Sequence, residues 1–381
     1  MKTPAKIIVI ANGFQDDYIV NLVWGLSDIC EVDLIGSSKY SKYKFNSNVR
    51  FINLRGDHDS NTSFLNKFIR INKYYLKLIW YLMGTRIKVV HIQWIHFYVE
   101  GIIISLFARS LRKKVVYTVH DVLPHDRNTL INRIIFGLIY RSQNILIAHT
   151  RYIKERLINE FRIPEKKVHI IKHGVYKVKN TKEISFESAR KNLSLKMNDF
   201  VILFFGRIAK YKGIEILLSD FNKLKETKKD LKLIIAGQVS QRFEKEFYGI
   251  LSRMVVNDII TKFYFIEANE VELLFKCANI TILPYLEASQ SGVLFLSYAY
   301  GIPVIAPKVG GFPDDIISGK TGLLFTQKEE SNLYATITKA ISTFTHQNEK
   351  LRDSIKKFAI QNYSWNTSCG KLSSIYRFLN N

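Results

Sequence analysis

Short apolar runs recur between helix-length segments along nearly the whole chain, and this alternation restricts the fold more than any single motif. Residues 7–11, 32–35, 49–54, 87–92, 114–119 and 144–148 have the length and β-branched content of strands. They show little polar alternation, as expected for a parallel sheet covered by helices on both faces. Residues 168–175 read as a further strand ending in His173-Gly174. Residues 176–197 then lose apolar periodicity and gain Lys, Asn and Ser, which marks a linker and the lead-in to a second domain. The alternation restarts with strands expected at 200–205, 231–236, 263–266, 280–283 and 303–306, and helices at 214–224, 272–277 and 293–300. The expected fold class is α/β, with two doubly wound domains, and a length of 381 residues accommodates both.

Three places carry chemistry. Strand 280–283 stops at Pro284, and a short polar loop, Glu287-Ala288-Ser289-Gln290-Ser291-Gly292, leads into an apolar helix. A helix N-terminus leaves backbone N–H groups unpaired at the positive end of its dipole, so this loop suits a phosphate. Ser289 is placed to cap the helix, and Gly292 permits close approach of an anion. Strand 200–205 runs into Gly206-Arg207-Ile208-Ala209-Lys210-Tyr211-Lys212-Gly213, where Arg207 and Lys212 can clamp a diphosphate. In the first half, His120-Asp121 and His125-Asp126 follow the strand at 114–119, at the carboxyl edge where doubly wound sheets place chemistry. Asn12-Gly13 ends the first strand at the same edge, but no G-x-G-x-x-G follows, which argues against simple dinucleotide binding.

Charge and composition narrow the partners. Of the net +23, residues 1–180 carry +16, from 29 Lys and Arg against 13 Asp and Glu. Anionic lipid, a phosphorylated substrate or nucleic acid would account for that excess. The basic stretches hold no recognisable nucleic-acid module, so nucleic acid is not the expected partner. Residues 64–83 read as one helix, with Lys67, Arg70, Lys73 and Lys77 on one side and Phe, Leu, Ile, Tyr and Trp filling the rest. Residues 130–140 form a second very apolar segment near Arg127, Arg133 and Arg141. Both segments suit either an anionic membrane surface or a buried α/β helix with a solvated basic stripe. No run of about 18 apolar residues is present, and the first apolar stretch is too short for a signal peptide. Cys30, Cys277 and Cys369 are widely spaced, fit a reducing compartment and form no metal pattern.

Taken in order, GRIAKYKG at 206–213, the run from Pro284 to Phe325, TVHD at 118–121, the His-Gly at 173–174 and the terminal Tyr-Ser-Trp helix resemble the retaining nucleotide-sugar glycosyltransferases of family 4. The resemblance covers nearly the whole chain. It implies the GT-B fold: two Rossmann-like domains facing across a cleft, with acceptor binding in residues 1–178, donor binding in 195–357, and a last helix in 358–381 crossing back to the first domain. Arg207 and Lys212 match the basic pair that neutralises the donor diphosphate, with Gly206 beside them. The amides of Ser291, Gly292 and Val293 match the second phosphate contact. His120 matches the histidine that faces the donor sugar, and Gly13 and His173 fall on the acceptor side. The resemblance implies a UDP- or GDP-sugar donor, while the basic first half and residues 64–83 point to a glycan or polyprenyl-diphosphate-linked acceptor and to a cytoplasmic protein peripheral on the inner face of the cell membrane. No cofactor and no metal are expected, because cations and a helix dipole take the place of a divalent ion.

One departure is sharp. The family commonly carries Glu-x7-Glu, and the matching positions here are Ala288 and Leu296. Glu287, Ser289 and Gln290 are the candidates to contact the sugar instead. The missing carboxylates also motivate a second reading, a GT-B protein that binds sugar nucleotide or glycan without turnover.

Overall fold

The computed structural model describes residues 4–12, 16–57, 63–95, 98–124, 129–178, 184–253, 258–327, 332–344 and 349–380. They fall into two compact units, Met1–Tyr176 with Tyr363–Asn381, and Lys177–Asn362.

The first unit runs β1 (Ala5–Ile10), α1 (Asp16–Ser27), β2 (Cys30–Gly36), β3 (Val49–Asn53), α2 (Phe64–Gly84), β4 (Val89–Ile92), α3 (Tyr98–Ser110), β5 (Lys114–Val119), α4 (Leu130–Ser142), β6 (Ile145–Ala148), α5 (Arg151–Asn159) and β7 (Val168–Ile170). The seven strands form a parallel sheet in the order β3-β2-β1-β4-β5-β6-β7. Strand order reverses between β1 and β4, so the connections divide between the two faces. Buried residues of α2, α3, α4 and α5 share one core with the sheet. Those of α1 share the other with the C-terminal helix. Ser63, Thr129 and Thr150 cap α2, α4 and α5, each accepting the N–H three residues on.

The second unit runs α6 (Phe186–Asn192), β8 (Phe200–Phe205), α7 (Ile214–Thr227), β9 (Leu231–Ala236), α8 (Glu244–Leu251), β10 (Ile259–Lys262), α9 (Ala268–Cys277), β11 (Ile280–Ile282), α10 (Gly292–Ala299), β12 (Val304–Pro307), α11 (Phe312–Asp315), β13 (Gly322–Phe325), α12 (Asn332–Phe344) and α13 (Glu349–Asn362). Its six-stranded parallel sheet has the order β10-β9-β8-β11-β12-β13. The last helix, α14 (Trp365–Asn380), belongs to the first unit and packs on α1. The doubly wound α/β class and the returning C-terminal helix are therefore as expected.

Three local expectations change. The strand expected at 263–266 lies earlier, at β10. Phe263, Tyr264 and Phe265 have strand propensity, but the partner strand β9 ends where Ala236 pairs with Lys262. The strand expected at 168–175 pairs only as far as Ile170. The linker region contains helix α6, which lacks apolar periodicity because one of its inward residues is charged. Arg190 is fully buried and donates to the carbonyls of Cys277, Lys196, Met197 and Asp199 and to Asn279 Oδ1. Five acceptors satisfy that guanidinium, as a buried cation requires.

The return of α14 depends on one close approach. Trp365 is buried beside Gly174, and Val175 N–H donates to Tyr363 O at 2.7 Å. A Cβ on Gly174 would stand 2.2 Å from the Trp365 ring. Gly174→Ala is therefore expected to destabilise the first unit by about 1–3 kcal/mol through overpacking. The measurement is the urea midpoint followed by tryptophan fluorescence. Gly370→Ala on the same helix, where an added Cβ meets nothing within 4 Å, should leave the midpoint unchanged or raise it.

Candidate functional site

In the second unit, the loop after β8 and the loop after β11 are held together by their backbones. Leu286 N–H donates to Tyr211 O at 2.8 Å. Gly213 is left-handed, with φ 62°, and a Cβ there would lie 2.0 Å from Pro284 O. Only glycine meets both conditions without a shift. A similar contact holds the far side of the second loop, where Gly310, at φ 57°, leaves no room for a Cβ against Ala288 O. Two loops that are separate in sequence thus become one rigid surface at the carboxyl edge of the sheet.

Lys212 lies on this surface and is only 8% exposed. Its ammonium donates to the Tyr285 hydroxyl and sits 3.9 Å from the centroid of the same ring. Tyr285 is buried, its hydroxyl lies 3.3 Å from Ser291 Oγ, and burial raises its pKa. It therefore stays a neutral phenol that accepts from Lys212 and can donate to Ser291. Ser291 occupies the N-cap of α10 without bonding a helix N–H through its side chain. The cap expected at Ser289 is thus at Ser291, and the helix starts at Gly292. Ser289 is buried, Gln290 half-buried and Glu287 exposed. Arg207 Nη2 lies 3.4 Å from Ser240 Oγ. Gly206 comes within reach of the helix start, a Cβ there lying 3.5 Å from Val293 Cγ2. Gly206, Arg207, Lys212 and the residues at 289–293 are therefore assembled by one sheet edge. Among the described residues, no group of three or more His, Cys, Asp or Glu side chains has a metal-binding arrangement.

Sequence reasoning missed Tyr285, Ser240 and Gly237. Gly237 N–H and the Gln238 carbonyl bond β10 and Ile208, bringing the end of β9 to the Arg207 loop. A usable signal was present, since Gly237-Gln238 closes a strand just as Gly206-Arg207 does. Tyr285 had no such signal, because an aromatic after a strand is usually core.

The first unit collects a different set at the carboxyl ends of its strands. His120 follows β5, is buried, and stacks on Trp94 with ring centroids 3.7 Å apart. Tyr18 meets its edge at 4.9 Å. Tyr18 also hydrogen-bonds His149 Nε2 at 3.2 Å, and His149 Nδ1 donates to Ile171 O. His173 is buried, donates through Nδ1 to Gly174 O at 2.7 Å, and lies 5.0 Å from Tyr18 by ring centroid. His120 and His173 thus belong to one cluster, in which Trp94, His149, Tyr18 and Trp365 were not anticipated. Gly13, His125 and Asp126 lie outside the described residues.

Burial keeps these imidazoles neutral, and also that of His91, buried on β4. It lowers His91 and His173 to about 3, His149 to about 4, and His120 well below the usual range, with neighbouring histidines adding to the shift at His91, His120 and His173. The unfolded chain takes up these protons near pH 6.5, before the folded chain can. Their contribution to stability is therefore complete above about pH 6.5 and is lost as pH falls towards 3–4. Each such histidine removes about 1.4 kcal/mol per pH unit within that window. The urea midpoint of the first unit should fall steeply between about pH 6.5 and 5, and a flat profile there would contradict the assignment.

Residues 185–361 match the family described as Glycosyl transferases group 1, and residues 15–177 match Glycosyltransferase Family 4. The chain belongs to this glycosyltransferase family. An uncharacterized glycosyltransferase of Methanocaldococcus jannaschii is 24% identical over 258 residues, 67% of this chain. The match spans 65% of that relative's length. Among solved structures, sucrose-phosphate synthase from Thermosynechococcus elongatus superposes with a TM-score of 0.78 at 16% identity, covering 98% of this chain and 99% of that one. Anabaena HepE in complex with UDP-glucose superposes with a TM-score of 0.75 at 16% identity, covering 97% and 98%. At such identity these likenesses establish the fold, which is GT-B.

Proposed function

We propose that the chain transfers a sugar from a UDP- or GDP-sugar to a glycan or polyprenyl-diphosphate-linked acceptor, with retention and without a metal. The observation that carries this reading is the buried Lys212 ammonium, joined through Tyr285 to Ser291 at the start of α10. Breaking the anomeric C–O bond places negative charge on the departing diphosphate. A cation and helix amides already in place stabilise that charge without reorganising. Arg207 adds a second cation on the same surface. Support also comes from family membership and from the UDP-glucose complex of the structurally similar HepE.

His120 is assigned to the donor sugar by the resemblance. Its neutral imidazole suits a hydrogen bond to a sugar hydroxyl and not a fixed charge. Ala288 offers a methyl group where the family glutamate has a carboxylate, and it is buried with its carbonyl against Gly310. Exposed Glu287 and half-buried Gln290 remain to contact the sugar. Lacking those carboxylates, a binding protein without turnover is the second reading, and donor consumption above background excludes it.

Lys212→Ala and Arg207→Ala should each lower donor turnover about 10²–10³-fold, by analogy with removing one donor from a preorganised anionic site. Near-normal rates in steady-state assays would overturn the clamp. Tyr285→Phe keeps the ring over Lys212 and removes only the hydroxyl. It should lower kcat about tenfold or more with little change in donor KM, since a hydrogen bond to a charged group contributes about 1.5–3 kcal/mol. A thermal-shift screen should show stabilisation by one nucleotide class, about 2.7 kcal/mol at a hundred times its Kd.

A further inference from the structure

Helix α2 has two apolar faces, and only one of them is used by the fold. Tyr74, Leu78 and Leu82 are buried against the sheet. Leu65, Phe68, Ile69, Leu76, Trp80 and Met83 are all exposed, Trp80 by 72%. At about 100° per residue, these six fall within an arc of about 120° on the side away from the core. Lys73 and Lys77, both exposed, flank that arc, with Arg70 beyond them.

The same arrangement recurs in the neighbouring helices. On α4, Leu130, Ile131, Ile134 and Leu138 are exposed, Leu130 by 73%, while Phe136, Ile139 and Tyr140 face the core. On α3, Ile103 and Leu106 are exposed while Ile104 and Ala108 are buried. The connections β3–α2–β4, β4–α3–β5 and β5–α4–β6 all advance in one direction across the sheet, so these helices form one layer. Among the described residues, twelve large exposed apolar side chains therefore lie on one layer. Helices α1 and α5 add none, and α14 adds Phe378 alone. Water-soluble surfaces seldom concentrate apolar area in this way without a partner.

Charge selects the partner. Neither α2 nor α4 contains an acidic residue, and α2 sets the exposed Lys73 and Lys77 at the border of its outward apolar arc. A second copy docked on this face would bring those cations against their counterparts. Anionic headgroups would neutralise them while the acyl boundary receives the apolar stripe. We infer that the outward faces of α2, α3 and α4 form a docking surface for an anionic bilayer, on which the protein lies without crossing. Among the described residues, no helix is long and apolar enough to span a membrane.

The test is co-sedimentation of the full chain with phosphatidylcholine vesicles, with and without 30% phosphatidylglycerol. It contains no nucleotide, so its outcome is independent of the glycosyl-transfer reading. The wild-type chain should pellet with the anionic vesicles, bind neutral ones at least tenfold more weakly, and be released partly by about 0.5 M NaCl. Ile69→Ser/Trp80→Ser should lose at least tenfold in binding with an unchanged Tm, since both side chains point away from the core. Phe265→Ser, an exposed aromatic of the second unit, should bind as wild type. A wild-type chain that stays in the supernatant overturns the inference. So does undiminished binding by the double variant, or equal binding to neutral vesicles without salt dependence. A wild-type dimer that the double variant converts to monomer would assign the face to a second copy instead.

Discussion

A lysine ammonium is rarely buried without a partner, and Lys212 is both buried and provided for. Its hydrogen bond to the Tyr285 hydroxyl, with the ring beneath it, holds the cation at the sheet edge. That arrangement depends on the backbone around it. Lys212 comes from the loop after β8 and Tyr285 from the loop after β11. The two loops meet because Gly213 lets the chain pass against Pro284 O. Ser291 extends the chain of contacts to the first turn of α10. The phosphate-directed chemistry proposed for the protein thus follows from packing that brings a cation, a phenol and a helix N-terminus into contact.

The first unit meets a different requirement with the same sheet geometry. Its carboxyl edge gathers neutral, mutually packed rings: His120 on Trp94, with Tyr18, His149, His173 and Trp365 around them. Charging any one imidazole would place a cation among aromatic and imidazole neighbours, away from water. The cluster also uses α14, the last segment of the chain, so the first unit is not complete until the C-terminus has folded back. Its opposite helical layer, by contrast, leaves apolar surface uncovered, and that surface is where an anionic bilayer is proposed to bind.

Much of the fold was legible because parallel strands are marked by apolar runs of the right length. β5, β8 and β9 have the bounds read from the sequence. What misled the reading was local propensity without a partner. Phe263-Tyr264-Phe265 has the composition of a strand, but β9 has already ended beside it. Helix α6 escaped notice because Arg190 fills an inward position that periodicity assigns to an apolar residue.

The candidate site divides in the same way. The sequence by itself determined that Arg207 and Lys212 follow one strand and that a small-residue loop precedes a helix after another. Set beside the family it resembles, the sequence also put Ala288 and Leu296 at the positions where carboxylates were expected. Those are properties of residue type and order. Only the tertiary structure decided that Tyr285 joins Lys212 to Ser291, and that α2 turns a second apolar face outward. Both depend on distances between segments far apart in the chain, or on which face of a helix the core already occupies. Neither quantity is encoded in any single local stretch.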